Sequence, residues 1–273
     1  MVGLREYNKK IISLKNTRKI TSSMKMISSV KLQKFMKTQQ VAAPFNQASM
    51  SMLNQIASLG GNSSIFCKGY PEVKKSLILL FSSDRGLCGR FNTNVIRKAV
   101  KLSEILSSRR CKCFFSFAGS KGHAFFKRRS LPVEKAYESP GPSYANAASI
   151  ADDLFHKFTE GDFQEIWIVY TRKVALQEEP CAERLLPFEI NKDLPAASKE
   201  ILLEENAAEL VKNFSQLAVR AKIYRAQMDS TVSEHTARMT AMDAATTNCD
   251  KMIQRYVKLR NRARQTAITT ELT

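Results

Sequence analysis

The stretch that decides the fold runs from Leu210 to Met228, LVKNFSQLAVRAKIYRAQM. Its apolar or small positions Leu210, Phe214, Leu217, Ala221, Tyr224 and Met228 are spaced alternately four and three residues apart. That is the heptad rhythm of a helix with one narrow seam to bury against another helix. After Met228 the series slips by one residue and resumes at Val232, His235, Met239, Met242, Thr246, Cys249, Ile253 and Tyr256. A spacing of four where three is due disturbs supercoiling locally. Residues 198–270 contain neither glycine nor proline. They predict one continuous helix of about 100 Å at 1.5 Å per residue. Such a helix must project from its domain, and something must cover its seam.

The other end of the chain supplies the cover. Residues 4–57 hold almost no helix breaker except Pro44, which is expected to bend the helix or mark a local break. Leu4, Tyr7, Ile11 and Leu14 are spaced three, four and three, and Ile20, Met24, Ile27 and Val30 carry the stripe onward less regularly. The opposite surface is basic, with Lys9, Lys10, Lys15, Arg18, Lys19, Lys25, Lys31, Lys34 and Lys37. Two long helices, one from each end, are therefore expected to pair as an antiparallel coiled coil, with the last helix outrunning its partner. The seam is weak in branched aliphatics: Ala221, His235, Thr246 and Cys249 are poor knobs. This suggests a surface that must fit several partner environments.

Between the helices the grammar changes. Gly60-Gly61-Asn62 ends the first helix. Ser76–Ser82 (SLILLFS) is a continuous apolar run of strand length, Lys112–Ala118 a second strand and Glu165–Tyr170 (EIWIVY) a third. Arg184–Phe188 reads as an antiparallel edge element. Asn92–Ser108 and Ser143–Thr159 are helical, and Gly119–Arg129 is helical or irregular. Alternating strands and helices predict a compact, Rossmann-like α/β domain. The predicted organisation is a coiled-coil helix over 1–60, an α/β foot domain over 61–197, with a connector at Lys192–Ala197, and a second coiled-coil helix over 198–273.

Composition bounds the function. The 273 residues carry 43 Lys+Arg against 25 Asp+Glu, a formal charge of +18. So large an excess attracts nucleic acid, anionic lipid or an acidic protein partner, and charge alone does not choose. No run approaches 18 apolar residues, so no bilayer span is expected. The N-terminus lacks the apolar core of a signal peptide. The spacing of the six cysteines matches no zinc or disulfide framework, which points to core thiols in a reducing compartment.

No motif carries catalysis. Gly86-Leu-Cys-Gly89 follows a strand and precedes a helix, as a phosphate loop does, yet lacks the third glycine of a dinucleotide fingerprint. His123, His156 and His235 are isolated, and no HExxH or CxxC occurs, so no metal site and no cofactor are expected. Asp152 and Asp153 are adjacent on a helix and face different directions, against paired acid–base work. Phe125 and Phe126 lie among the basic residues of Lys121–Arg129 and superficially resemble a stacking platform. The plainer reading is a solvated charged face around core aromatics.

Four blocks decide the matter: Thr17–Leu32 (TRKITSSMKMISSVKL), Ser82–Gly89 (SSDRGLCG), Arg238–Asn248 (RMTAMDAATTN), and Tyr256–Leu272 with NRARQTAITTEL. In these the chain resembles the gamma subunits of F-type ATP synthases, in family order along nearly its full length. The resemblance implies a non-catalytic central rotor shaft that transmits torque between a proton-driven c-ring and an alpha3beta3 catalytic ring. It implies the epsilon subunit, or its equivalent, as a further partner at the foot, with no nucleic acid. It places the chain peripherally on the soluble face of a coupling membrane, a bacterial plasma membrane or a mitochondrial inner membrane. Carried over residue by residue, contacts with the alpha/beta ring are expected at Met24, Lys25, Arg238, Gln265 and Thr269. Asp84, Arg85, Gly86 and Gly89 match the family's foot-domain turn. Only Thr273 follows Leu272, where family members commonly continue, so a short shaft tip is expected. The regulatory cysteine pair of plant chloroplast versions has no counterpart.

Overall fold

The computed structural model describes residues 4–58, 64–138, 141–174, 177–189 and 207–272. The helix end expected at Gly60-Gly61-Asn62, the connector at 192–197 and the helix start expected at 198 lie outside these residues. Two helices dominate: α1, Leu4–Ser58, of 55 residues, and α6, Ala207–Leu272, of 66. They pair antiparallel, and the α/β layer is inserted between them in sequence, as the heptad reading predicts. α1 passes through Pro44 without interruption, so of the bend or local break expected there, the break does not occur.

In chain order the inserted region comprises α2 (Ile65–Lys68), β1 (Lys75–Phe81), α3 (Phe91–Ser108), β2 (Lys112–Ala118), α4 (Ser120–Arg128), β3 (Val133–Tyr137), α5 (Tyr144–Thr159), β4 (Glu165–Val174) and β5 (Gln177–Leu186). The described residues form two compact units. One holds the start of α1 up to Leu32, the last part of α6 from His235, and Leu87–Gly89. The other holds Gln33–Gly86 and Arg90–Glu234.

The second unit is built on a sheet of order β3-β2-β1-β4-β5. β1 pairs parallel with β2 and with β4, β2 pairs parallel with β3, and β5 runs antiparallel to β4. β1 is central, and every residue from Ser76 to Phe81 is buried, which is why its sequence is a continuous apolar run and not an alternating one. Leu77, Leu79 and Phe81 pack with α5 (Ala147, Ile150, Leu154, Phe158), with Leu53 of α1 and with Val211, Val219 and Ile223 of α6. Ile78 and Leu80 face the other way, onto Val95, Ala99 and Leu106 of α3 and Phe126 of α4. Each such side chain stabilises the fold by roughly 1.5–3 kcal/mol on burial. β3 has no counterpart among the expected strands: VEKAY holds no apolar run, and it is an exposed edge strand whose first four residues all face solvent.

In the first unit the helix ends are tied by polar rungs. Arg18 pairs with Asp250 at 2.5 Å, the hydroxyls of Thr21 and Thr246 lie 2.8 Å apart, and Lys25 pairs with Asp243 at 2.6 Å. As numbers rise on α1 they fall on α6, the signature of an antiparallel pair. Tyr7 and Tyr256 pack ring to ring at 6.3 Å. The seam holds at Ile11 as expected and, on α6, at Val232, His235, Met242 and Cys249, and it departs from the expected one at Ile20, Ile27 and Val30. Ile11, Thr21 and Ser28 are buried, whereas Ile20, Ile27 and Val30 are 61%, 57% and 61% exposed. Arg18 and Lys25, expected on the outer basic face, flank the seam and find acids on α6.

Candidate functional site

The expected contact residues do not converge on one pocket. Met24 and Lys25 are half-buried on α1, where the Met24 carbonyl accepts the Ser28 hydroxyl at 2.8 Å and Lys25 holds Asp243. Arg238 is buried, with a guanidinium nitrogen 3.4 Å from His235 Nδ1. Gln265 and Thr269 are exposed near the end of α6, one turn apart, and the Thr269 hydroxyl donates to the Gln265 carbonyl at 2.9 Å. Arg238 and Gln265 are separated by about 40 Å of helix at 1.5 Å per residue. A set strung along helices in this way suits an extended protein partner and not a small substrate.

His235 and Arg238 explain each other. Burial pushes the His235 imidazole down, and the neighbouring charges of Arg238 and Lys31 push it further, to about 4. The ring is neutral at physiological pH.

The turn after β1 is a built structure. Asn92 closes it: Ser83 N–H donates to Asn92 Oδ1 at 3.0 Å, and Asn92 Nδ2 donates to Ser83 Oγ at 2.7 Å. The Ser83 hydroxyl donates to the Arg85 carbonyl at 2.6 Å. Asp84 Oδ1 accepts the Ser120 N–H at the first turn of α4, at 2.8 Å. A protein carboxylate thus occupies the N-terminus of α4, where an anion would otherwise be drawn, and the neighbouring Lys121 and Gly122 N–H groups are taken by Ser83 O and Ser82 Oγ. A β-carbon on Gly86 would meet nothing within 4 Å, whereas Gly89 has φ +57 and a β-carbon there would lie 3.9 Å from Ala241 of α6. Leu87, between them, adopts φ 63 without being glycine and is 59% exposed.

Asp152 and Asp153 take separate partners. Asp152 receives two bonds from Arg220 at 2.8 Å and one from Gln216 at 2.9 Å, and the Arg220 bonds hold its carboxyl below the usual range. Asp153 receives Tyr137 at 2.5 Å and Lys135 at 2.9 Å. Burial would raise its pKa, but these bonds and Lys157 outweigh it and leave the carboxyl lowered. Among the described residues no group of three or more His, Cys, Asp or Glu is placed to hold a metal ion, and no helix is long and apolar enough to cross a membrane.

The rung residues Thr21, Asp243 and Asp250 escape sequence reasoning. Their signal exists only in pairs, since each is an ordinary polar residue until its partner's register is known.

Comparison with known proteins covers the chain almost end to end. A family model described as ATP synthase matches residues 3–273. The ATP synthase gamma chain of Clavibacter michiganensis subsp. michiganensis is 32% identical over 98% of this chain and 94% of its own length. That of Pelotomaculum thermopropionicum is 33% identical over 100% of this chain and 96% of its own. Among solved structures, a chain of the rotor of Euglena gracilis mitochondrial ATP synthase has the same fold, with a TM-score of 0.71 at 18% identity, covering 97% of this chain and 98% of that one.

Proposed function

The chain belongs to the ATP synthase gamma-chain family, and on that premise we propose that it is the central rotor shaft of an F-type ATP synthase. It transmits torque between a proton-driven c-ring and an alpha3beta3 catalytic ring, with the epsilon subunit or its equivalent beside it. It works on the soluble face of a coupling membrane, and ATP is made or hydrolysed on its partners. The observation that carries this reading is α6, an unbroken 66-residue helix whose last half is cross-tied to α1 by the Arg18, Thr21 and Lys25 rungs. A continuous ladder of backbone hydrogen bonds along such a helix resists twisting, and cross-ties stop the two helices from sliding past each other.

Coupling follows population-shift logic: a shaft biases a catalytic subunit only if it contacts one conformation better than another. Met24, Lys25, Arg238, Gln265 and Thr269 supply those contacts at several heights. The Asp84–Gly89 turn is a fixed feature of the foot. The basic surface faces acidic groups on the ring. The test is a native pull-down with subunit stoichiometry. One copy of this chain with three plus three large nucleotide-binding partners supports the shaft. A chain recovered without such partners, and bound to nucleic acid with a steep salt dependence, overturns it.

A further inference from the structure

The face of the sheet covered by α3 and α4 holds a feature the shaft does not use. A cleft of about 730 Å³ lies between the two helices, within the size range of small-molecule sites, roughly 300–1,000 Å³. α3 contributes Ile96 and Arg97, α4 contributes Lys121, Phe125 and Arg128, and Arg129 closes one side. Lys121, Phe125 and Arg128 are four and three residues apart on α4, so they share one side of that helix.

The two phenylalanines of the basic stretch have separate fates. Phe126 is fully buried in the core against Phe115 and Phe117. Phe125 is only half-buried and lines the cleft. The Arg129 guanidinium lies over its ring at 4.3 Å from the centroid, which makes a flat wall with a cation in it. Arg97, Lys121, Arg128 and Arg129 are all exposed. Among the described residues none of the four pairs with a carboxylate. Four like charges around one concave, partly apolar surface repel one another and focus a positive potential into it. A fold that keeps them together gains most when a polyanion enters.

We propose that this cleft binds a nucleoside polyphosphate, with the base against the Phe125–Arg129 wall and the phosphates among Arg97, Lys121 and Arg128. Arginine forks match phosphate oxygens in pairs, and a base stacked on an aromatic face contributes about 1–3 kcal/mol. Lys121 and Arg128 are two turns apart, about 10 Å along α4, a span on the scale of a short phosphate chain. A lipid fits less well, because an acyl chain would leave the apolar floor across a cationic rim. The cleft borders the turn after β1 through Asn92, which lines it and holds Ser83, but the α4 N-terminus itself is occupied by Asp84.

The test is calorimetric titration of the full chain with ATP, and in parallel with tripolyphosphate, adenosine and vesicles of anionic lipid. Two variants accompany it: Arg97→Gln with Arg128→Gln, and Phe125→Leu, each checked by its thermal unfolding midpoint. The expected result is saturable binding of one ATP per chain. The double variant weakens both ATP and tripolyphosphate by at least about tenfold, whereas F125L weakens ATP severalfold and leaves tripolyphosphate unchanged. Absence of saturable ATP binding to the unaltered chain overturns the proposal. So does tripolyphosphate or a vesicle binding as tightly as ATP, or a folded double variant that binds ATP undiminished.

Discussion

Gly119 shows how little room the fold leaves at single positions. Its φ is +115, and a β-carbon there would lie 2.0 Å from the Ser82 carbonyl oxygen. Both the conformation and the space demand glycine. G119A is expected to lower the unfolding free energy by about 3 kcal/mol or more, read from urea denaturation; a loss under about 1 kcal/mol would contradict the geometry. His235 gives a pH-dependent counterpart. Its folded pKa is depressed to about 4, below the unfolded value near 6.5. Its contribution to stability is therefore present above pH 6.5 and is lost as pH falls from there towards 4. H235Q, neutral at every pH, is expected to flatten the stability profile in that window, and parallel profiles for the two proteins would rule the mechanism out. The ion pair of Lys25 with Asp243 is largely exposed, so a double-mutant cycle on the isolated chain is expected to return a coupling under about 1 kcal/mol. A larger coupling would mean that this rung holds the helices more tightly than an exposed ion pair does.

At the scale of elements, the last turns of α6 are the informative ones. Gln265 and Thr269 are exposed, and α6 is longer than α1. Removing the several turns from Leu259 onward is expected to weaken assembly and coupling before it alters nucleotide chemistry. The readout is ATP-driven proton pumping divided by ATPase rate, and an unchanged ratio would refute the shaft reading of this segment. The legibility of each element tracks its burial. β1 and the Ile166–Tyr170 part of β4 are readable because a central strand covered on both faces is apolar where it is covered. α3 and α5 are readable because each carries one apolar stripe toward the sheet. β3 is invisible, since VEKAY forms its ladder at an edge where side chains pack against little. On α1 the outer apolar residues Ile20, Ile27 and Val30 outweigh the true seam, in which Thr21 and Ser28 are buried. Apolar periodicity finds a seam only when the seam is the most apolar face, and here small polar residues close it.

For the whole molecule, charge sets the rate of encounter. With a formal +18, association with an acidic ring is expected to slow as ionic strength rises and the Debye length shortens to about 8 Å at physiological salt. Stopped-flow measurement of assembly across a salt series checks this, and a flat profile would show that steering plays no part. The paired ends and the inserted layer are legible at this scale because a helix free of glycine and proline over some seventy residues cannot hide. The candidate contacts are legible only through family likeness: Met24 and Gln265 have no local feature that marks them as contacts. The rungs carry one more implication, for how such chains change length over time. Arg18, Thr21 and Lys25 meet Asp250, Thr246 and Asp243 in descending order, so a deletion from one strand of the pair shifts every later rung out of step. Viable insertions and deletions in this stretch must arise as matched events in both arms, and unmatched ones are confined to the connecting loops.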